Sequence, residues 1–223
     1  MGSRFGLTQE ESKILSRLNT PKLVQKFLDD VECNLEERGK TCYSPRRVLR
    51  ERKANCIEGA IFAAAALRFH GHPPLIVDLA SVRDDDHVVA VFKCFGHWGA
   101  VAKSKYTGLG YREPIHQTIR ELAVSYFEDY FNFAGEKTLR EYSRPINLAR
   151  FDNISWMTTE DDLFSIAEHL AKISHRKLFT VRAAREFRRV TSLAREAGEL
   201  GMAKTGILKR VRAGRRTSHT DVR

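Results

Sequence analysis

The chain lacks any apolar run near the roughly 18 residues that a membrane-spanning helix needs, so no membrane partner is expected. Its opening residues, Met1 to Gly6, hold no apolar stretch of the kind a secretory signal carries. Cysteine is sparse: Cys33, Cys42, Cys56 and Cys94 show no CxxC spacing and no dense framework. Free thiols in a reducing compartment follow, and the expected location is cytoplasmic. Metal signatures are missing too. His70, His72, His97 and His116 have no recognised metal-ligand spacing, and Asp84-Asp85-Asp86 lacks the ligand-rich pattern of a calcium loop. That triplet reads as a solvated turn, and no metal or cofactor is expected. Internal repeats are absent. Excess charge is absent from most of the chain: residues 1–175 hold 24 residues of each sign, whereas residues 176–223 hold 14 Lys/Arg against 4 Asp/Glu. The net charge of +10 therefore belongs to the C-terminal stretch alone.

The 42% hydrophobic and 30% charged fractions over 223 residues fit one medium soluble domain plus an appendage. We divide the chain at 175/176, with a basic, partly helical extension over 176–223. Thr8 with Glu11 forms a capping box before Ile14, Leu15 and Leu18. Thr20-Pro21 and Ser44-Pro45 repeat the pattern of a capping hydroxyl followed by proline at the first helical position. Asn55 caps the most distinctive segment, Cys56 to Phe69, whose interior is nearly all small and apolar, as a buried central helix would be. Three strands are expected: Leu75 to Val82, His87 to Cys94, and Trp98 to Ser104. Tyr106 to Pro114 reads as a loop and His116 to Phe133 as an aromatic-rich helix. A last helix is expected to open at Thr158 and Asp161 and to carry Leu163, Ile166 and Leu170. From Ala203 onward the chain looks frayed.

The chemistry-bearing pair is Cys56 and His87. A thiol is a useful nucleophile when its thiolate is populated, and Cys56 falls in the first turn of a helix, where unpaired N–H groups and the macrodipole favour an anion. The same N–H groups could hold the oxyanion of a tetrahedral intermediate. A base must come from elsewhere. His87 opens a strand with Val89 and Val91 on its own face, and a histidine imposed on an apolar strand needs a reason.

The runs Ser44-Pro45-Arg46-Arg47-Val48-Leu49, Ala54-Asn55-Cys56-Ile57-Glu58-Gly59-Ala60 and Ala65-Ala66-Leu67-Arg68-Phe69-His70-Gly71 resemble the transglutaminase-like core. Asp86-His87-Val88-Val89 and the Gly96-His97-Trp98 turn follow in the family's order. The likeness to the family core covers about residues 40–105, and a likeness to bacterial transglutaminase-like proteins of unassigned activity continues to about 175. It implies an α+β, papain-like fold: a central Cys-bearing helix packed on a small antiparallel sheet, with extra helices at both ends. It implies Cys56 as nucleophile and His87 as base; Asn55, Trp98 and Lys103 are expected to contact substrate. The family places an Asp four or five residues after the Trp, where this chain has Ala102 and Lys103. The orienting role would pass to Ser104, to Asp86 or Asp78, to a backbone carbonyl, or to nothing, and its loss commonly costs orders of magnitude in rate.

Three functions follow as expectations. One is a cysteine-dependent acyl-transfer enzyme acting on a peptide or protein amide. Another is the same fold with a decayed triad, holding a peptide in the old cleft. The third is a binder of nucleic acid or an acidic partner through residues 176–223, although no recognition motif accompanies that basic stretch and no aromatic follows Phe187. Lys103 and Arg112 are candidates to hold a substrate carboxylate.

Overall fold

The computed structural model describes residues 4–37 and 39–204. Residues 205–223, the end of the basic extension, lie outside the described residues. Local signals set the first half of the fold. Helix α1 (Gln9–Arg17) starts on the full capping box, with Thr8 Oγ1 accepting from the Glu11 N–H at 3.1 Å and Glu11 Oε2 accepting from the Thr8 N–H at 2.7 Å. Helix α2 (Pro21–Asp29) is capped by Thr20. A minimal parallel ribbon, β1 (Glu32–Cys33) with β2 (Lys53–Ala54), brackets helix α3 (Pro45–Glu51), which Ser44 caps. Helix α4 (Cys56–Phe69) follows with Asn55 at its cap, and Glu58 through Leu67 are all buried. Side chains this small let every face of α4 approach its neighbours.

The sheet is antiparallel throughout. Strands β3 (Leu75–Ser81), β4 (His87–Cys94) and β5 (His97–Val101) form a meander, and β6 (Arg112–His116) adds to the β5 edge. On the other side of β3 lie β7 (Leu139–Ser143), with β8 (Ile146–Asn147) continuing along β3 and β9 (His175–Lys177) pairing with β7. Alternation sorts the two faces. Val88, Ala90 and Phe92 of β4 join the core under α4, with residues of α1–α3 and of helix α6 (Phe164–Lys172). Val89 and Val91 join a second core with Leu122, Tyr126 and Tyr130, part of it from helix α5 (Ile119–Val124). The sheet thus has helices on both faces, and β4 is buried from His87 to Phe92. Two more helices, α7 (Val181–Arg185) and α8 (Ser192–Lys204), close the described chain. Among the described residues no helix is long and apolar enough to cross a membrane.

Several expectations need correction. The segment 116–133 is not one helix: β6 ends at His116, α5 spans six residues, and a 3-10 turn covers Phe127–Asp129. Its aromatic spacing is core packing rather than continuous helix. The expected loop 106–114 contains a 3-10 turn (Thr107–Leu109) and most of β6. Helix α6 starts at Phe164 rather than at Thr158, because Cys42 O takes the Leu163 N–H at 2.8 Å and fixes the chain there. The division at 175/176 falls inside β9, and Leu178 is buried in the second core, so the chain past 175 starts as part of the sheet.

Candidate active site

The meander splits at one end, and α4 enters the split. The β4–β5 ladder stops at Ala90 paired with Val101, so residues 102–104 leave it. Their main chain still needs partners. The Gln25 side chain supplies them, its Nε2 donating to Ala102 O at 2.9 Å and its Oε1 accepting from the Ala102 N–H at 3.0 Å. Lys103 then turns onto the C-terminal end of α2, where its ammonium donates to Leu28 O at 2.8 Å and to Val31 O. Gly59 of α4 packs on the Lys103 stem so closely that a Cβ at that position would collide with Lys103 Cβ. A glycine in the first turns of α4 is therefore what brings the helix start against the diverging strands.

Cys56 occupies that helix start. Its thiol lies 3.8 Å from Asp86 O, the carbonyl just before His87. The N–H groups of Val88 and Ile57 also act on the sulfur and favour a thiolate, but burial outweighs them, with Asp78 and Asp85 adding to it, and pushes the thiol up to about 11. His87 is buried against the rings of Tyr126 and Tyr130. Burial pushes its pKa down to about 4; Leu109 O opposes this and Arg112 adds to it. Its Nε2 stands 2.9 Å from Leu109 O. A carbonyl only accepts, so Nε2 carries the proton and Nδ1 of the neutral ring keeps its lone pair. Cys56 and His87 line one cavity of about 560 Å3.

The candidates for the orienting role separate cleanly. Leu109 O holds the His87 ring, which is the backbone-carbonyl alternative. Ser104 lines the cavity but its Oγ accepts from the Tyr106 N–H at 3.0 Å. Asp86 also lines it, and its Oδ1 caps the turn by accepting from the Ser81 N–H at 2.7 Å. Asp78 is buried on the α4 face of the sheet, where its Oδ2 is 2.9 Å from Nε2 of His175 on β9. Burial and the nearby Asp86 push Asp78 up to about 6, against the pull of His175. Ser104, Asp86 and Asp78 are therefore corrected as partners of the imidazole.

The expected substrate contacts divide as well. Asn55 lines the cavity while its Oδ1 accepts from the Glu58 N–H at 3.0 Å. Lys103 lines it only with its stem, since its ammonium is committed to α2. Trp98 sits opposite Lys93 and His116 in the sheet, packs against the second core and takes no part in the cavity. Arg112 is held over the Tyr126 ring and donates to Ser125, Gly108 O and Asp129. Lys103, Trp98 and Arg112 therefore do structural work.

Sequence reasoning gives Glu58 the reciprocal capping position to Asn55 but misses two further features of the site. Glu58 is fully buried, and besides closing the capping box with Asn55 N–H at 2.8 Å, it accepts from Asn34 Nδ2, Thr41 Oγ1 and Tyr43 N–H at 3.0, 2.7 and 3.0 Å. One carboxylate thereby ties the segment 34–43 to the start of α4 and shapes one wall of the cavity. An acid inside an otherwise apolar helix was its signal. The second feature is α8, which packs on the 3-10 turn bearing Leu109: Thr107 Oγ1 donates to Ala197 O at 2.9 Å. Gly198 lies against the Phe131 ring, and Phe131 lines the cavity. Five carboxylates lie at the cavity rim, Glu36, Glu37, Asp84, Asp85 and Asp86, against Lys105, whose ammonium is 3.9 Å from Asp85. Among the described residues no group of three or more His, Cys, Asp or Glu side chains is arranged to hold a metal ion.

What these observations define is a mixed helix and antiparallel-sheet protein whose central helix delivers a cysteine to a cavity shared with a buried histidine. No protein-family profile matches the chain, and no curated protein matches it.

Proposed function

We propose that the chain is a cysteine-dependent acyl-transfer enzyme of papain-like, transglutaminase-like design, acting on an amide of a peptide or protein. The observation that carries this reading is the entry of Cys56 and His87 into one cavity, with the His87 tautomer fixed so that Nδ1 can accept a proton. Sγ attacks the amide carbon as its proton passes to Nδ1. The carbonyl π pair moves onto oxygen, and the Ile57 and Val88 N–H groups beside the sulfur support that oxyanion. Collapse breaks the C–N bond, and His87 returns the proton to the leaving amine. Water or a second amine then attacks the thioester and restores the thiol. The five carboxylates at the rim disfavour anionic substrates and favour neutral or cationic peptides.

Proton transfer from thiol to imidazole is uphill in the free protein. The gap of about 7 pH units between the two groups corresponds to on the order of 9 kcal/mol before the pair's own attraction. The resting pair is therefore neutral, and His87 acts as a general base during attack rather than as half of a preformed ion pair. The test is exposure to p-nitrophenyl acetate with peptide mapping. Acetylation of Cys56 that falls at least 100-fold in His87→Ala supports the reading; no adduct at Cys56, or one indifferent to His87, ends it.

A second reading, a peptide-binding module without turnover, is favoured by one observation: the ring is oriented by a neutral carbonyl where a carboxylate would stabilise an imidazolium. Binding of a cationic peptide with Cys56 unacylated and the peptide intact would select it.

A further inference from the structure

A second cavity, of about 520 Å3, lies on the far side of the 82–86 turn and has the opposite electrostatic character. Six cations line it: Arg83 from the turn after β3, Lys137 just before β7, Arg140 on β7, Lys177 on β9, Arg185 on α7, and Arg189 beyond it. Only two carboxylates, Glu136 and Glu141, line it with them. Glu136 is shared between Arg83 at 3.0 Å and Arg189 at 3.6 Å, and Lys137 is taken by Glu128. Among the described residues, Arg140, Lys177 and Arg185 have no carboxylate at ion-pair distance.

Arg140 is the telling side chain. It is half-buried, its guanidinium stands 5.4 Å from the Phe187 ring, and its Nη1 donates only to carbonyls, Lys137 O at 2.9 Å and Leu139 O at 2.8 Å. Burial and then the neighbouring Arg83 lower its pKa, with Glu136 opposing them, as for a guanidinium in a partly dry place beside another cation. Phe179 and Phe187, packed edge to face at 5.1 Å, add an apolar wall that strengthens charge interactions next to it. A half-buried cation whose direct partners are only carbonyls and a ring is costly for the fold to keep, and an oxyanion bound between Arg140, Lys177 and Arg185 would offset that cost.

We propose that this cavity is a binding site for a phosphate group, presented either by a small phosphorylated molecule or by a nucleic-acid strand. The site goes beyond a basic tail, because Arg83, Lys137 and Arg140 come from outside residues 176–223, and its assembly depends on β9 docking on β7. It is independent of the chemistry at Cys56.

The test uses the full chain. Inorganic pyrophosphate binding is followed by titration calorimetry, and binding of a 20-nucleotide single-stranded RNA by fluorescence anisotropy at several salt concentrations. Three proteins are compared: the unaltered chain, the exposed-site double variant K177A/R185A, and a chain with Lys209, Arg210, Arg212, Arg215 and Arg216 all changed to Gln. Arg140→Gln serves as an independent second probe. The double variant is expected to bind about 10- to 100-fold more weakly, with its salt slope for RNA reduced by about 1.4, the signature of two lost phosphate contacts on a single strand. Loss of pyrophosphate binding identifies a small phosphate as a competent ligand; loss confined to RNA identifies the strand. Overturning results are that neither probe binds at about 50 mM salt, or that K177A/R185A and Arg140→Gln bind like the unaltered chain.

Discussion

The protonation state of Cys56 is the point at which the proposed chemistry can fail first. The perturbation is a change of pH across a titrating thiol. With the thiol at about 11 against an ordinary value of 9.0, the thiolate fraction at pH 7.5 is about 3 in 10,000 rather than about 3 in 100. Cys56 should therefore react with iodoacetamide about 100-fold more slowly than a free thiol at that pH, before any loss from restricted access. The logarithm of the rate should climb with unit slope from about pH 7 to pH 10, without a plateau. Pulsed alkylation followed by peptide mapping separates Cys56 from Cys33, Cys42 and Cys94. The His87→Ala protein should show the same slope, because a ring with a pKa of about 4 is neutral over that whole range and stabilises no thiolate. A plateau of fast labelling between about pH 5 and 8, abolished in His87→Ala, would reveal a preformed thiolate–imidazolium pair and refute the burial argument.

Other outcomes follow from the packing. Gly59→Ala should lose about 1–3 kcal/mol in urea denaturation despite the gain in helix propensity, because the methyl would meet the Lys103 stem, and backbone would have to move. Glu58→Gln should cost about 2–4 kcal/mol by the same assay, since an amide cannot accept from the Asn34, Thr41, Tyr43 and Asn55 donors together. Acid stability has two opposing contributors. His87, lowered in the fold from 6.5 to about 4, contributes stability that is present above 6.5 and lost as pH falls towards 4. Asp78, raised from 3.8 to about 6, contributes stability that is present below 3.8 and lost as pH rises through 6. They offset each other between about pH 4 and 6, so Asp78→Asn should steepen the acid loss across that window by up to about 3 kcal/mol, read from denaturation midpoints at stepped pH. An unchanged slope would show that Asp78 titrates near its ordinary value.

The first hundred residues were legible because their signals are local. Caps at Thr8, Thr20, Ser44 and Asn55 each require only a side chain and an N–H three residues on, and all four helices begin there. The meander β3–β5 was legible from β-branched runs and the turns between them. Beyond residue 105 the reading weakened because the aromatic stretch satisfies two periods at once. Tyr126 and Tyr130 are four apart like a helical stripe, yet they are placed by packing around His87 and Leu122. Strands β7 and β9 are short, mixed in polarity and meaningful only as partners in a sheet, and nothing local distinguishes Arg140 or Arg176 from loop residues.

By itself, then, the sequence determined that Cys56 starts a buried helix and that His87 starts an apolar strand, since both follow from neighbours within a few residues. Only the tertiary structure decided that the β4–β5 ladder opens to admit the helix, that Leu109 O rather than a carboxylate orients the imidazole, and that the Lys103 ammonium is taken up at the end of α2. The physical reason is range: a cap or an alternation is closed within one turn or one strand. The partner of a buried polar group is instead chosen by whichever donor or acceptor the whole fold brings within 3 Å.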